Sequence, residues 1–193
     1  MIKSVPVLLT GLRALLAPVV VLLSLFAPLP QALAVCLIVA FLSDIFDGVL
    51  ARRLGIATAN LRRLDSVADT LFYAGCVFAA WYLYPAAITQ HAGSLVALGI
   101  LEVVRYALDF LKFRREASYH MWSSKVWGVA LFAGFFGLLV MGSSGAVVSW
   151  AIYLGIVADV EGLLISLVLP RWQADVPTLV HALRVRRAEV LRT

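Results

Sequence analysis

The chain has 193 residues, 63% of them hydrophobic and only 14% charged, with a net charge of +5. Soluble domains run near 45–50% apolar and about 25% charged. This composition, with a mean hydropathy of +0.97, excludes an ordinary soluble globular domain and marks a polytopic membrane protein. The positive balance reads as cytoplasmic loops facing anionic lipid and not as a nucleic-acid surface.

The chain opens MIKSVPVLLTGLR, with Arg13 inside the apolar run and no small-residue cleavage site after it, so a removed signal peptide is not expected. Three stretches then lack Asp, Glu, Lys and Arg: Ala14–Ser43, Thr70–Leu101 and Val126–Ala158. Each is too long for one span of about 20 residues. Each also has turn residues near its middle: Pro28-Leu29-Pro30, then Pro85 to Gly93, then Gly142-Ser143-Ser144-Gly145. The pattern predicts an all-α fold of six transmembrane helices in three hairpins. Lysines and arginines fall at the other ends, from Lys3 through Arg52, Arg53, Arg62, Arg63, Lys112, Arg114 and Arg115 to the tail arginines. By the positive-inside bias both termini are cytoplasmic.

Helix rise sets depth as well. Arms of 13–14 charge-free residues rise roughly 20 Å at about 1.5 Å per residue. Arg13, Asp44, Asp69, Glu102, Lys125 and Asp159 are therefore expected at one level, lining a polar cavity open to the cytoplasm. Residues 1–172 form the transmembrane domain in this reading, and 173–193 a cytoplasmic tail. Within that tail, Val176, Leu179, Val180 and Leu183 make a partial apolar stripe, which leaves an interfacial helix and a solvated segment both open. Cys36 and Cys76 lie in apolar segments without metal-type spacing and read as packing residues. Trp81, Tyr82, Tyr84, Trp122, Trp127 and Trp172 read as interfacial belts.

Four aspartates interrupt this hydrocarbon. A charged side chain at mid-bilayer costs roughly 2.5–3.5 kcal/mol on insertion scales, and four together also repel one another. Asp44 and Asp47 share a helix face with Gly48, Ala51 and Arg52, and Asp65 and Asp69 share a face of the next helix. The short Arg53–Leu64 connection makes the two helices antiparallel neighbours, so the carboxylate pairs can meet. Hard oxygen ligands of this kind suit two Mg²⁺ or Mn²⁺ ions. Gly48 and Ala51 leave room for a ligand, and Arg52 supplies a fork for phosphate oxygens. Such equipment suits phosphoryl transfer, with cations on a diphosphate and a spare carboxylate as base. The bland alternative pairs the carboxylates with Arg52, Arg53, Arg62 and Arg63 at the membrane surface.

The string Asp44-x2-Asp47-Gly48-x2-Ala51-Arg52-x8-Leu61-x3-Asp65-x3-Asp69 closely resembles the signature of the CDP-alcohol phosphotransferase family, matching seven of its eight fixed positions. Leu61 stands where the family has glycine. Pro6-Val7-Leu8-Leu9-Thr10-Gly11-Leu12-Arg13 is similar to the family's N-terminal motif, with Val7 in place of asparagine. The resemblance implies a six-helix, homodimeric membrane enzyme of phospholipid synthesis, here in the inner membrane of a bacterium. It makes Asp44, Asp47 and Asp65 metal ligands and Asp69 the general base, with Asp69 also reaching a metal. It places Gly48, Arg52, Ala51 and Thr58 at the CDP moiety. Thr10 is either a donor contact or a hydroxyl bonded back to its own helix. Arg13 is either a phosphate contact or the partner of an acid such as Asp159 or Glu161.

Acceptor-side expectations centre on Arg105, Lys125 and Arg62. Arg105 either pairs with Glu102 three residues before it or binds an anionic group of the acceptor. Lys125 either contacts substrate or snorkels to the interface. His120 reads as a loop residue. The expected reaction moves a phosphatidyl group from CDP-diacylglycerol to an alcohol, glycerol 3-phosphate first among acceptors, and releases CMP. A divalent-cation transporter using the same carboxylates and a non-catalytic scaffold with a degenerate site are the rivals. The transporter requires an ion path through the outer halves of the hairpins, which carry no charge.

Overall fold

The proline and glycine punctuation sets the helix ends. In the computed structural model, which describes residues 5–55 and 58–190, with Arg52, Ala59, Asn60, Arg62 and Val190 described by backbone alone, the described residues form helices and no strand. Helix α1 (Val5–Phe26) gives way to α2 (Pro30–Arg53) across the Pro28-Leu29-Pro30 break. Pro30 is the first residue of α2, where its missing N–H costs no hydrogen bond and its fixed φ favours the turn. Helix α3 (Ala59–Leu83) follows, then a six-residue α4 (Pro85–Gln90) inside the second expected turn, then α5 (Ala92–Phe113). Helices α6 (Trp122–Leu139) and α7 (Ala146–Val168) flank the third turn, where Gly142 takes a φ of +65°. Helix α8 (Leu179–Val190) ends the described chain.

Five of these helices, α1, α2, α3, α6 and α7, are long and apolar enough to cross a membrane. Helix α5 matches α1 at 22 residues. From its middle onward, however, it carries Glu102, Arg105, Asp109 and Lys112, so every 18-residue window of it holds at least three charges. Length and composition therefore support five spans, and α5 stands apart by charge alone.

The described chain divides into two units. The first comprises Met1–Gln90 with Phe135–Ser144. In it α1 packs on both α2 and α3. The buried stripe of α1 is Pro6, Thr10, Arg13, Ala17, Val20 and Ser24, spaced alternately by four and three residues. Its leucines point the other way: Leu8, Leu15 and Leu22 are all exposed. This inversion of the soluble pattern is what lipid demands, since small residues let helix backbones approach while large apolar ones meet acyl chains. A Cβ on Gly75 of α3 would lie 2.9 Å from the Ala17 carbonyl oxygen. Cys36 and Cys76 are free and buried here, as packing side chains. Phe135 stacks on Tyr73 with ring centroids 5.9 Å apart.

The second unit comprises His91–Gly134 with Gly145–Thr193. Helix α5 lies along α7, and α8 packs on α7 as well. The segment after α7 is not a solvated tail. Val176 and Ala182 are buried with Tyr119, Met121, Ile165 and Leu169, and Leu179 and Val185 pack against that cluster. The buried face of α8 is thus Leu179, Ala182 and Val185, at a spacing of three, while Val180 and Leu183 of the expected stripe are exposed. Trp127 also departs from expectation. Its indole lies against Gly155, whose added Cβ would come within 2.7 Å of Nε1, so this tryptophan fills a helix–helix contact and not an interfacial belt. Trp81, Tyr82 and Trp122 are exposed, as a belt requires.

Candidate active site

The aspartates meet on a partner that the sequence left open. Asp44 and Asp47 come from the C-terminal half of α2, Asp65 and Asp69 from the first half of α3, and Arg13 from the buried stripe of α1. Arg13 Nη1 donates to Asp44 Oδ1 at 2.9 Å and also to Asp69. Arg13 Nη2 donates to Asp65 Oδ1 at 3.0 Å and also to Asp47. One guanidinium thus gathers all four carboxylates. Thr10, one helical turn away, donates to Pro6 O at 3.0 Å and reaches Asp47 Oδ2 at 3.4 Å, so it bonds back to its own helix and touches an aspartate as well.

Among the described side chains, four carboxylates gather on one guanidinium, an excess of acidic groups over basic ones. Arg13 and Asp47 are buried, whereas Asp44, Asp65 and Asp69 are a third to a half exposed, which gives the cluster one open side. One oxygen from each of Asp44, Asp47 and Asp65 lies within 4.8 Å of the others, a spacing able to hold a metal ion. Hard carboxylate donors with excess negative charge fit Mg²⁺ or Mn²⁺. Asp69 stands outside that close set and is held through Arg13.

The other expected donor-side residues are less gathered. Gly48 and Ala51 continue α2 beyond Asp47, with Ala51 buried. The side chains of Arg52 and Arg62 lie outside the described part of the molecule. Thr58 is the N-cap of α3: its Oγ1 accepts from the Leu61 N–H at 3.3 Å. Leu61, the departure from the family pattern, is therefore anchored in the first turn of α3.

In the second unit, Arg105 pairs with Glu102 at 3.4 Å and with Asp159 of α7 at 3.0 Å. Asp159 is thus the partner of Arg105, while the two terminal nitrogens of Arg13 are taken by its own four aspartates. Glu161 does not pair with Arg13 either; its Oε1 accepts the Leu179 N–H at 3.2 Å. Lys125 is exposed, with Nζ 4.4 Å from the Trp122 ring centre. His120 is an exposed loop residue 3.8 Å from Asp175. The sequence reading also missed a buried network in which Ser166 donates to Asp109 and lies 2.9 Å from the Tyr119 hydroxyl. Only Asp109, four residues after Arg105, hinted at it.

Residues 3–160 match the family model for CDP-alcohol phosphatidyltransferase, a range that takes in the aspartate cluster, Arg13, Arg105 and Asp159. The chain belongs to this family. CDP-alcohol phosphatidyltransferases move a phosphate-linked group from a CDP-alcohol to an acceptor, and they typically depend on divalent cations. No curated protein and no solved structure matches the chain.

Proposed function

We propose that this member transfers a phosphatidyl group from CDP-diacylglycerol to an alcohol, releasing CMP, with glycerol 3-phosphate as the first acceptor to test. The observation that carries the reading is the convergence of Asp44, Asp47, Asp65 and Asp69 from two helices onto one guanidinium, four acidic groups for one basic group among the described side chains. Asp44, Asp47, Asp65 and Asp69 would hold two Mg²⁺ or Mn²⁺ ions, which supply charge neutralisation at a diphosphate. Asp69 accepts the proton of the acceptor hydroxyl. The hydroxyl oxygen bonds to the phosphorus that carries the diacylglycerol, and the bond from that phosphorus to the CMP oxygen breaks. Gly48, Ala51, Arg52, Thr58 and Thr10 are assigned to the donor, and Arg105, Lys125 and Arg62 to the anionic end of the acceptor. Acyl chains of the donor reach the site from the bilayer, among the exposed leucines and valines.

The same proposal makes α5 the sixth span, places both termini in the cytoplasm of a bacterium, and makes the enzyme a homodimer of 1–172 domains with 173–193 appended. The test is CMP release by purified protein given Mn²⁺, CDP-diacylglycerol and a panel of alcohols. Release that Asp69→Asn abolishes is the expected result. No release with any alcohol, nor with CDP-linked head groups offered to diacylglycerol, would refute the enzyme, and Mn²⁺ flux in liposomes would then favour a transporter.

A further inference from the structure

Resting on the metal-dependent reading above, we infer that Arg13 is a built-in counter-ion that competes with divalent cations for the same carboxylates and so sets the metal affinity of the site. Its two terminal nitrogens engage Asp44 Oδ1, Asp47 Oδ2, Asp65 Oδ1 and Asp69 Oδ1. Three of those aspartates form the close oxygen set able to hold an ion. A cation that enters joins carboxylates whose negative charge the guanidinium already engages, and the two positive charges oppose each other there.

Burial makes this arrangement costly to leave unbalanced. Arg13 is buried, and its Nε finds no hydrogen-bond partner among the described residues. A buried charge persists only where opposite charges compensate it, and four carboxylates gathered without a cation repel one another. Arginine suits the post because it stays protonated and its planar fork serves several oxygens at once. Its backbone has little freedom, since Thr10 and Ala17 on either side are buried in the same stripe. Its long side chain is the part able to yield. Arg13 therefore keeps the four carboxylates assembled before loading, and it weakens the ion that replaces it. It is a positioning residue, acting through the aspartates.

The experiment uses the full chain in lipid nanodiscs without donor or acceptor. Mn²⁺ affinity is read from the electron paramagnetic resonance signal of the free ion, and thermal unfolding is measured in EDTA and in saturating Mn²⁺. Removing one positive charge a few ångströms from a divalent ion strengthens its binding by about tenfold or more even at the dielectric of bulk water. Arg13→Gln is thus expected to bind Mn²⁺ about tenfold or more tightly, to melt lower in EDTA, and to recover in Mn²⁺. Arg13→Lys, which keeps the charge and loses the fork, is expected to gain severalfold. A merely structural arginine would give weaker Mn²⁺ binding and a lower melting point in both conditions, and that result overturns the inference. Where Arg13→Gln does not fold without metal, Arg13→Lys decides: affinity equal to or below wild type refutes the competition. Wild type that binds no Mn²⁺ would overturn the metal-dependent reading together with this one, whereas binding unchanged by Arg13→Gln overturns this inference alone.

Discussion

The close backbone approach of Gly75 to Ala17 offers a sharp test of how the site is held. A methyl group added at Gly75 would sit 2.9 Å from the Ala17 carbonyl oxygen, where ordinary van der Waals contact begins at 3.4 Å. The shortfall is 3.4 − 2.9 = 0.5 Å. The obstacle is backbone, with no rotamer to turn away, so α1 itself must retreat from α3. Overpacking of this kind costs about 1–3 kcal/mol, and the helix propensity gained from glycine to alanine offsets up to about 1 kcal/mol. Gly75→Ala is therefore expected to lose roughly 1–2 kcal/mol of stability. Function is the more sensitive readout. Ala17 lies one helical turn beyond Arg13, so the retreat draws Arg13 away from Asp65 and Asp69 on α3. A misplacement of about 1 Å costs about 100-fold in rate, and half of that points to roughly a tenfold fall in CMP release for Gly75→Ala, more for Gly75→Leu. Gly11→Ala, on α1 beside Arg13, is the control, because a methyl group there meets nothing within 4 Å; it is expected to stay within about twofold of wild type. If Gly75→Leu matched Gly11→Ala in melting temperature and turnover, the close α1–α3 approach would not be what positions the cluster.

Other perturbations test the remaining contacts. Arg105→Ala leaves Asp159 buried without its cation, an expected loss of about 3–5 kcal/mol that Arg105→Ala with Asp159→Leu should largely restore in thermal unfolding. Thr58→Ala removes the cap of α3 and is expected to cost about 1 kcal/mol, seen as faster hydrogen exchange at Leu61, with Thr58→Ser close to wild type. Ala182→Asp puts an unpaired carboxylate into the cluster beneath α8 and is expected to free that helix, so that trypsin cleaves faster at Arg184, Arg186 and Arg187; unchanged cleavage would mean that α8 does not depend on this cluster. Chelation with EDTA is expected to stop CMP release, and Mn²⁺ to restore it.

What the sequence made legible, and what it did not, divides by the range of the physics involved. Turns are local. Proline and glycine mark them without knowledge of any neighbour, and all three lie where Pro28–Pro30, Pro85–Gly93 and Gly142–Gly145 put them. Aspartates at spacings of three and four on successive helices are nearly as local, because a short connection brings such helices together. Pairings among separate helices are another matter. Arg13 with the aspartates and Arg105 with Asp159 depend on which faces meet, and in a bilayer the usual guide is inverted: leucines point outward and small or polar residues inward. Trp127 was misread for the same reason, since an indole near a helix end looks interfacial until Gly155 opens a slot for it. One signal was nonetheless available. Thr10 and Arg13 fall in register with Pro6, Ala17, Val20 and Ser24, a stripe that small and polar side chains set off from the leucines around it. An arginine in such a stripe is buried against other helices, and burial requires acids opposite it. Between Arg13 and Glu102 the chain holds just four acidic residues, Asp44, Asp47, Asp65 and Asp69. As the acids nearest in the chain, on the two helices that follow, they were stronger candidates to compensate Arg13 than Asp159 or Glu161.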